Sequence, residues 1–169
     1  MKTTTRLLLI ALLSLPLLAA CQKDDAASDT VADADAKPAV TRPADNNDEQ
    51  AWGVYLSDVV TRNMGDISNN PYLYYLPSSE SAGFEGAHER LKEEIEVAMQ
   101  RGIVEGNLVA FGSPESAMMA DIVVGAFAKV DPGSMKGVKL LFIGDAADNE
   151  RVRAAVEPAG VNYQFVEAK

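Results

Sequence analysis

The chain has 169 residues, of which 15 are basic and 25 acidic, giving a formal net charge of −10, and it carries one cysteine and one histidine. That acidity argues against nucleic-acid binding, which needs clustered Lys and Arg to neutralise phosphates, and against lying flat on an anionic bilayer. A lone Cys and a lone His give no basis for a disulfide, a Cys-metal site or a His-rich cluster, and neither a metal nor a cofactor is expected.

The first segment has a cationic head, Lys2 and Arg6, then a twelve-residue apolar core over residues 7–18, then small residues. This is the layout of a secretory signal peptide. Twelve residues fall short of the about twenty needed to cross about 30 Å of hydrocarbon, so cleavage is expected rather than a permanent span. The run Leu18-Ala19-Ala20-Cys21 resembles the lipobox of bacterial lipoproteins, a match confined to residues 1–22. The resemblance implies a diacylglyceryl thioether on Cys21, cleavage before it and a further acyl chain on the new amino terminus. Two or more chains hold stably where one binds only marginally. An Asp after the cysteine would resemble an inner-membrane retention signal; Gln22 stands there instead, which implies an outer-membrane anchor facing the periplasm. Cleavage removes Lys2 and Arg6 and no acid, so the 15 basic residues fall to 13 against 25 acids, a formal −12.

Residues 22–47 are rich in Asp, Ala, Thr, Lys and Pro, with Val31 and Val40 the only large apolar side chains. Such a stretch buries too little to offset its chain entropy. With Cys21 it is expected to form a lipidated, disordered tether, and the folded domain is expected over residues 48–169.

Within that domain, Trp52, Leu56, Val59 and Asn63 recur at helical spacing, predicting a helix over residues 48–64 that ends at Gly65. The aromatic run at residues 72–76, stopped by Pro77, predicts a strand. Phe84, Leu91, Ile95 and Met99 mark a second helix over residues 83–101 with a charged outer face. An apolar strand at residues 108–111 precedes Ser113 and Pro114, read as N-cap and first helical residue. The helix that follows, residues 115–129, is apolar nearly all round and is expected to be buried. A third strand at residues 138–143, a helix at 148–156 and a last strand at 162–166 complete the pattern. Strands alternating with helices of this length imply an α/β fold: a three-layer, Rossmann-like domain with a small, mostly parallel four-stranded sheet, preceded by an N-terminal helix. The strand order is taken as 2-1-3-4.

Open parallel sheets bind ligands beyond the carboxyl ends of their strands. Three loops collect there, and the candidate ligand-binding residues are Ser78 and Glu80, Ser113 and Ser116, and Asp145 and Asp148. Hydroxyls and carboxylates beside free N–H groups at helix starts can hold a small ion, but Ser113, Ser116 and Asp148 also suit ordinary capping, and the acids would repel phosphate. The sequence contains no Gly-x-Ser-x-Gly elbow, Gly-x-Gly-x-x-Gly or Walker loop. His88 lies on the apolar stripe of its helix, as a packed or rim histidine would. Tyr72, Tyr74 and Tyr75 alternate in direction, so one or two are available to a partner.

No catalytic residue is assigned. The expected function is binding, to another protein of the envelope. The first alternative is a ligand-sensing module using the strand-end loops; the second is a hydrolase using Ser113 and His88.

Overall fold

The computed structural model describes residues 38–169. The signal peptide, Cys21 and the tether up to residue 37 lie outside the described residues.

The element order is α1 (Glu49–Arg62), β1 (Tyr72–Tyr75), α2 (Phe84–Arg101), β2 (Leu108–Gly112), α3 (Ser116–Phe127), β3 (Lys139–Gly144), α4 (Ala146–Val156), a 3-10 turn (Glu157–Ala159) and β4 (Asn162–Glu167). The fold class is the one the alternation implies. All three strand pairings are parallel, and the sheet order is β1-β2-β3-β4.

That order corrects the expected 2-1-3-4, and burial gives the reason. Every residue of β2 is buried, as is all of β3 except Lys139, whereas β1 and β4 are only partly covered. A strand covered on both faces belongs inside the sheet, and an order of 2-1-3-4 would have put Leu108–Gly112 at an edge.

The sequential order also decides the layers. Right-handed crossovers that always advance in one direction carry their helices to the same face of the sheet. Accordingly α2, α3 and α4 share one core with Val109, Phe111, Leu140 and Phe142, and Tyr74 stacks on Phe111 with ring centroids 5.5 Å apart. The other face carries Leu108, Ala110, Leu141 and Ile143, and α1 is the one helix among the described residues that covers it, with Trp52, Tyr55, Leu56, Val59 and Val60, joined by Ala168 and the partly buried Val40, Met64 and Ile67.

Asp48 caps α1 by accepting the Ala51 N–H at 2.9 Å. At the other end of this helix, Asn63 is fastened to the sheet: its carbonyl accepts from Lys139 Nζ and its side-chain oxygen from Gln164 Nε2. Leu56 packs so closely on β2 that a Cβ at Gly112 would lie 2.5 Å from Leu56 Cδ2.

Two further expectations change. Residues 38–47, assigned to the tether, pack on the domain beside α1. The Val40 N–H donates to Asp58 Oδ2 at 3.1 Å, and Val40 lies against the α1 core. The Arg42 N–H donates to Lys169 O at 2.8 Å, and its guanidinium sits 5.3 Å from the centre of the Trp52 ring. The helix expected to be buried all round, α3, leaves a strip open to solvent at Ala117, Met118, Asp121 and Gly125. It lies on the outer layer between α2 and α4, so only the side toward the sheet and its neighbours is covered. Among the described residues no helix is long and apolar enough to cross a membrane.

Candidate functional site

The six candidates do gather along the carboxyl ends of the strands, but each meets a partner from within the chain. Ser116 opens α3 and is buried. Its hydroxyl donates to Asp148 Oδ2 at 2.6 Å and accepts the Asp145 N–H at 2.8 Å. Asp148, also buried, receives Arg151 on its other oxygen from Nε at 2.9 Å and Nη2 at 2.8 Å. Arg151 continues to Asp121 and to the carbonyl of Ala117. The carboxylates hold this guanidinium above its ordinary range, through the bond to Asp121 first and that to Asp148 next. Together these bonds staple the start of α4 to the start of α3.

The neighbouring loops are closed in the same way. Ser113 is not the N-cap of α3; that position is Glu115. The Ser113 hydroxyl donates to Leu76 O at 2.8 Å and accepts the Glu115 N–H at 2.8 Å, tying β2 to the loop after β1. Glu115 Oε1 accepts both the N–H and the hydroxyl of Ser79, at 2.9 and 2.8 Å. Buried Ser78 accepts the Glu80 N–H at 3.3 Å, and Glu80 receives Asn47 Nδ2 at 3.1 Å. Asp145, rather than Asp148, is the N-cap of α4; its side chain makes no capping bond and instead faces Arg42 Nη1 at 3.5 Å. A Cβ at Gly144 would lie 2.5 Å from Ser116 Oγ. Chemically, the buried Ser78, Ser113, Ser116 and Asp148 are closed into hydrogen bonds within the chain, while Glu80 and Asp145 stay exposed with one side-chain contact each.

Arg42, Arg151 and Glu115 organise these loops, yet none was singled out from the sequence as a site residue. For Arg42 the available signal was its place two residues after Val40, a large apolar side chain in a polar stretch. Ser113 and His88, the hydrolase pair, make no hydrogen bond with each other among the described residues; the Ser113 hydroxyl donates to Leu76 O. His88 lies on α2 with its ring 5.8 Å from Phe84 and Nδ1 3.4 Å from Glu89 Oε1. Among the described residues no group of three or more His, Cys, Asp or Glu could hold a metal ion.

Of the exposed large apolar side chains among the described residues, three gather beside β1, while Val54 stands on α1 and Met118 on α3. Tyr72 is 48% exposed, Val97 46% and Val104 73%. Two hollows of about 460 and about 280 Å³ share Tyr74, Ala98 and Arg101; one reaches Val97 and the other Tyr72 and Val104, so they form one groove. Arg90 and Arg101 contribute positive charge to it, Glu93 and Glu94 negative.

The Leu76 N–H donates toward β2, to Gly112 O at 3.4 Å. Alternation therefore turns the backbone groups of Leu73 and Tyr75 outward from the sheet edge. Pro71 and Pro77 bracket this short edge and remove two donors, a common way of blunting strand addition. Contact here falls to the side chains.

No protein-family model, curated protein or solved structure matches the chain.

Proposed function

We propose that the protein is a lipid-anchored domain of the bacterial envelope, held at the outer membrane through acyl chains on Cys21 and facing the periplasm, which works by binding another envelope protein. The anchor rests on the lipobox resemblance of Leu18-Ala19-Ala20-Cys21, outside the described residues. The observation that carries the binding reading is a contrast between two surfaces. The polar groups at the strand ends are engaged by one another, while Tyr72, Val97 and Val104 stand exposed around one groove. Clustered exposed apolar side chains rimmed by charge are characteristic of protein-binding surfaces. The small-ligand alternative at the strand ends would have to break bonds that hold the loops together.

The test places a photo-crosslinking amino acid at Tyr72 or Val104 in the full chain within native envelopes, with exposed Thr61 on α1 as the control position. A discrete adduct from the first two positions and not from Thr61 is expected. Equal labelling from all three, or none from the groove, would overturn the assignment of the surface. Labelling of the wild type with radioactive palmitate, lost in Cys21→Ser, tests the anchor separately.

A further inference from the structure

Between α2 and α3 lies a cleft of about 280 Å³ that belongs neither to the strand ends nor to the groove beside β1. Its walls follow from helical spacing. His88, Lys92 and Glu96 form an i, i+4, i+8 stripe on α2; Met118, Asp121, Ile122 and Gly125 form the facing stripe on α3. This is the open strip of the helix whose sequence reads as apolar all round.

Three observations make the cleft a built space. Glycine is disfavoured in a helix interior, yet a Cβ at Gly125 would meet no atom within 4 Å, so packing does not demand the glycine, and the space beside it stays open. Met118, 38% exposed, offers a soft apolar wall beside Ile122. Finally, the cleft carries charge of both signs on its rim, with Lys92 and Glu96 one turn apart on α2 and Asp121 on α3. Lys92 and Asp121 lie on opposite walls and make no ion pair with each other. Lys92 Nζ reaches Glu89 at 3.9 Å, and Asp121 uses Oδ1 for Arg151. Glu96 is likewise held on one oxygen, Oε2, by Lys129 at 2.6 Å. Lys92, which approaches Glu89 no closer than 3.9 Å and also lies within electrostatic reach of Glu96, can turn to a guest together with two carboxylate oxygens, Asp121 Oδ2 and Glu96 Oε1, beside Met118 and Ile122.

We infer that this cleft binds a small zwitterion with an aliphatic side chain, the chemistry of a free aliphatic α-amino acid. Its carboxylate meets Lys92, its ammonium meets Asp121 and Glu96, and its side chain lies on Met118 and Ile122 in the space beside Gly125. The volume falls just below the range of ordinary ligand pockets, which begins at about 300 Å³, and so suits a molecule of this size. Charge complementarity selects the class: a simple amine would face the like charge of Lys92, and a simple carboxylate would face Asp121 and Glu96. This site is independent of the protein-binding groove, and either assignment can fail without the other.

The test is a titration of the full chain in detergent, followed through the backbone amide resonances, with leucine, leucine amide and N-acetyl-leucine as probes. Leucine is expected to shift Gly125 and the residues around His88 saturably. Leucine amide and N-acetyl-leucine, each lacking one pole, should bind at least about ten-fold more weakly, as should leucine to Lys92→Met or Asp121→Asn, because a hydrogen bond to a charged group is worth about that factor or more. Gly125→Leu should fill the space and abolish binding while its melting temperature stays at or above that of the wild type. Equal binding of leucine and leucine amide, unchanged binding in Lys92→Met, retained binding in a folded Gly125→Leu, or no saturable shift with leucine would each overturn the inference.

Discussion

Replacing Ser116 by Ala tests whether the carboxyl end of the sheet is a closed network or an available site. The hydroxyl is 4% exposed as part of its residue, donates to Asp148 Oδ2 at 2.6 Å and accepts the Asp145 N–H at 2.8 Å. A hydrogen bond to a charged partner contributes about 1.5–3 kcal/mol, and stranding a partly buried N–H adds up to about 1 kcal/mol more. Asp148 keeps both nitrogens of Arg151, so its carboxylate is not abandoned and the lower half of that range applies. The expected loss is about 2–3 kcal/mol. With a urea m-value of about 2 kcal/mol/M, the unfolding midpoint should fall by about 1–1.5 M at unchanged slope. Ser79→Ala provides the matched control, since its hydroxyl also bonds a carboxylate, Glu115 Oε1 at 2.8 Å, but in an exposed position. Solvent replaces that bond at little cost, and the expected change is below about 0.5 kcal/mol. Equal effects from the two variants, or a silent Ser116→Ala, would refute the reasoning. The Ser116 hydroxyl and the Asp148 carboxylate would then be free for a ligand, and the preference for the groove beside β1 would lose its support.

Two glycines should respond with opposite sign. Gly144→Ala puts a Cβ 2.5 Å from Ser116 Oγ and 2.8 Å from the Phe142 ring and should cost about 1–3 kcal/mol, whereas Gly125→Ala meets nothing and should stabilise by up to about 1 kcal/mol; thermal melts of both variants check the pair. Tyr75 carries a buried hydroxyl with no hydrogen-bond partner, so Tyr75→Phe should leave stability unchanged or slightly raised in urea titrations, because no bond is lost. Burial first, then the charges of Glu49 and Asp48, pushes the Tyr75 phenol up to about 12, and burial likewise raises Tyr163 to about 12. Both phenols lie above the unfolded value of about 10, so the unfolded chain loses these protons first. Their contribution is complete below about pH 10 and disappears as pH climbs toward 12. Phenolate absorbance should therefore rise together with loss of the far-ultraviolet signal, and part of the late rise should vanish in Tyr75→Phe and in Tyr163→Phe. Arg42→Ala removes the contact over Trp52 and the bond to Ala168 O at 3.4 Å, which should cost about 1 kcal/mol and speed hydrogen exchange at Ala168, whose N–H donates to Gly144 O.

The elements were legible because burial imposes a period on them. Trp52, Leu56 and Val59 lie inside α1, as their spacing requires, and the continuous apolar runs of β2 and β3 are the fully covered strands. Those runs also indicate which strands lie inside, the two most apolar ones, with Tyr72–Tyr75 and Asn162–Glu167 left to the edges, but not the order of the inner pair. Two further things were not legible. Composition describes what a segment can bury by itself, so residues 38–47 read as tether; their order comes from surfaces supplied by Trp52, Asp58 and the chain end at Lys169. Serines and acids at helix starts look alike whether they cap, cross-link or bind. Ser113 and Asp148 turned out to bond across loops 37 and 32 residues apart in sequence, a separation that no local motif encodes.

The strand order itself bears on where such a domain can bind. A doubly wound sheet gains its ligand crevice where the order reverses and neighbouring loops part to opposite faces. In the order β1-β2-β3-β4 no reversal exists, the loops into α2, α3 and α4 all turn the same way, and nothing opens a gap between them. The side chains that would line a crevice are instead close enough to bond each other, as Glu115 bonds Ser79 and Ser116 bonds Asp148. The same topology crowds α2, α3 and α4 onto one face and leaves the other to α1. Two consequences follow on the crowded side: a parallel helix pair whose outer seam is held open at Gly125, and a sheet edge at β1 with Tyr72 exposed above the end of α2. Binding by this chain is therefore expected on its flanks rather than at its strand ends. Moving the photo-crosslinking residue from Tyr72 to Asp145, an exposed strand-end position, should abolish the adduct; capture of the same partner from Asp145 would refute the link between topology and site.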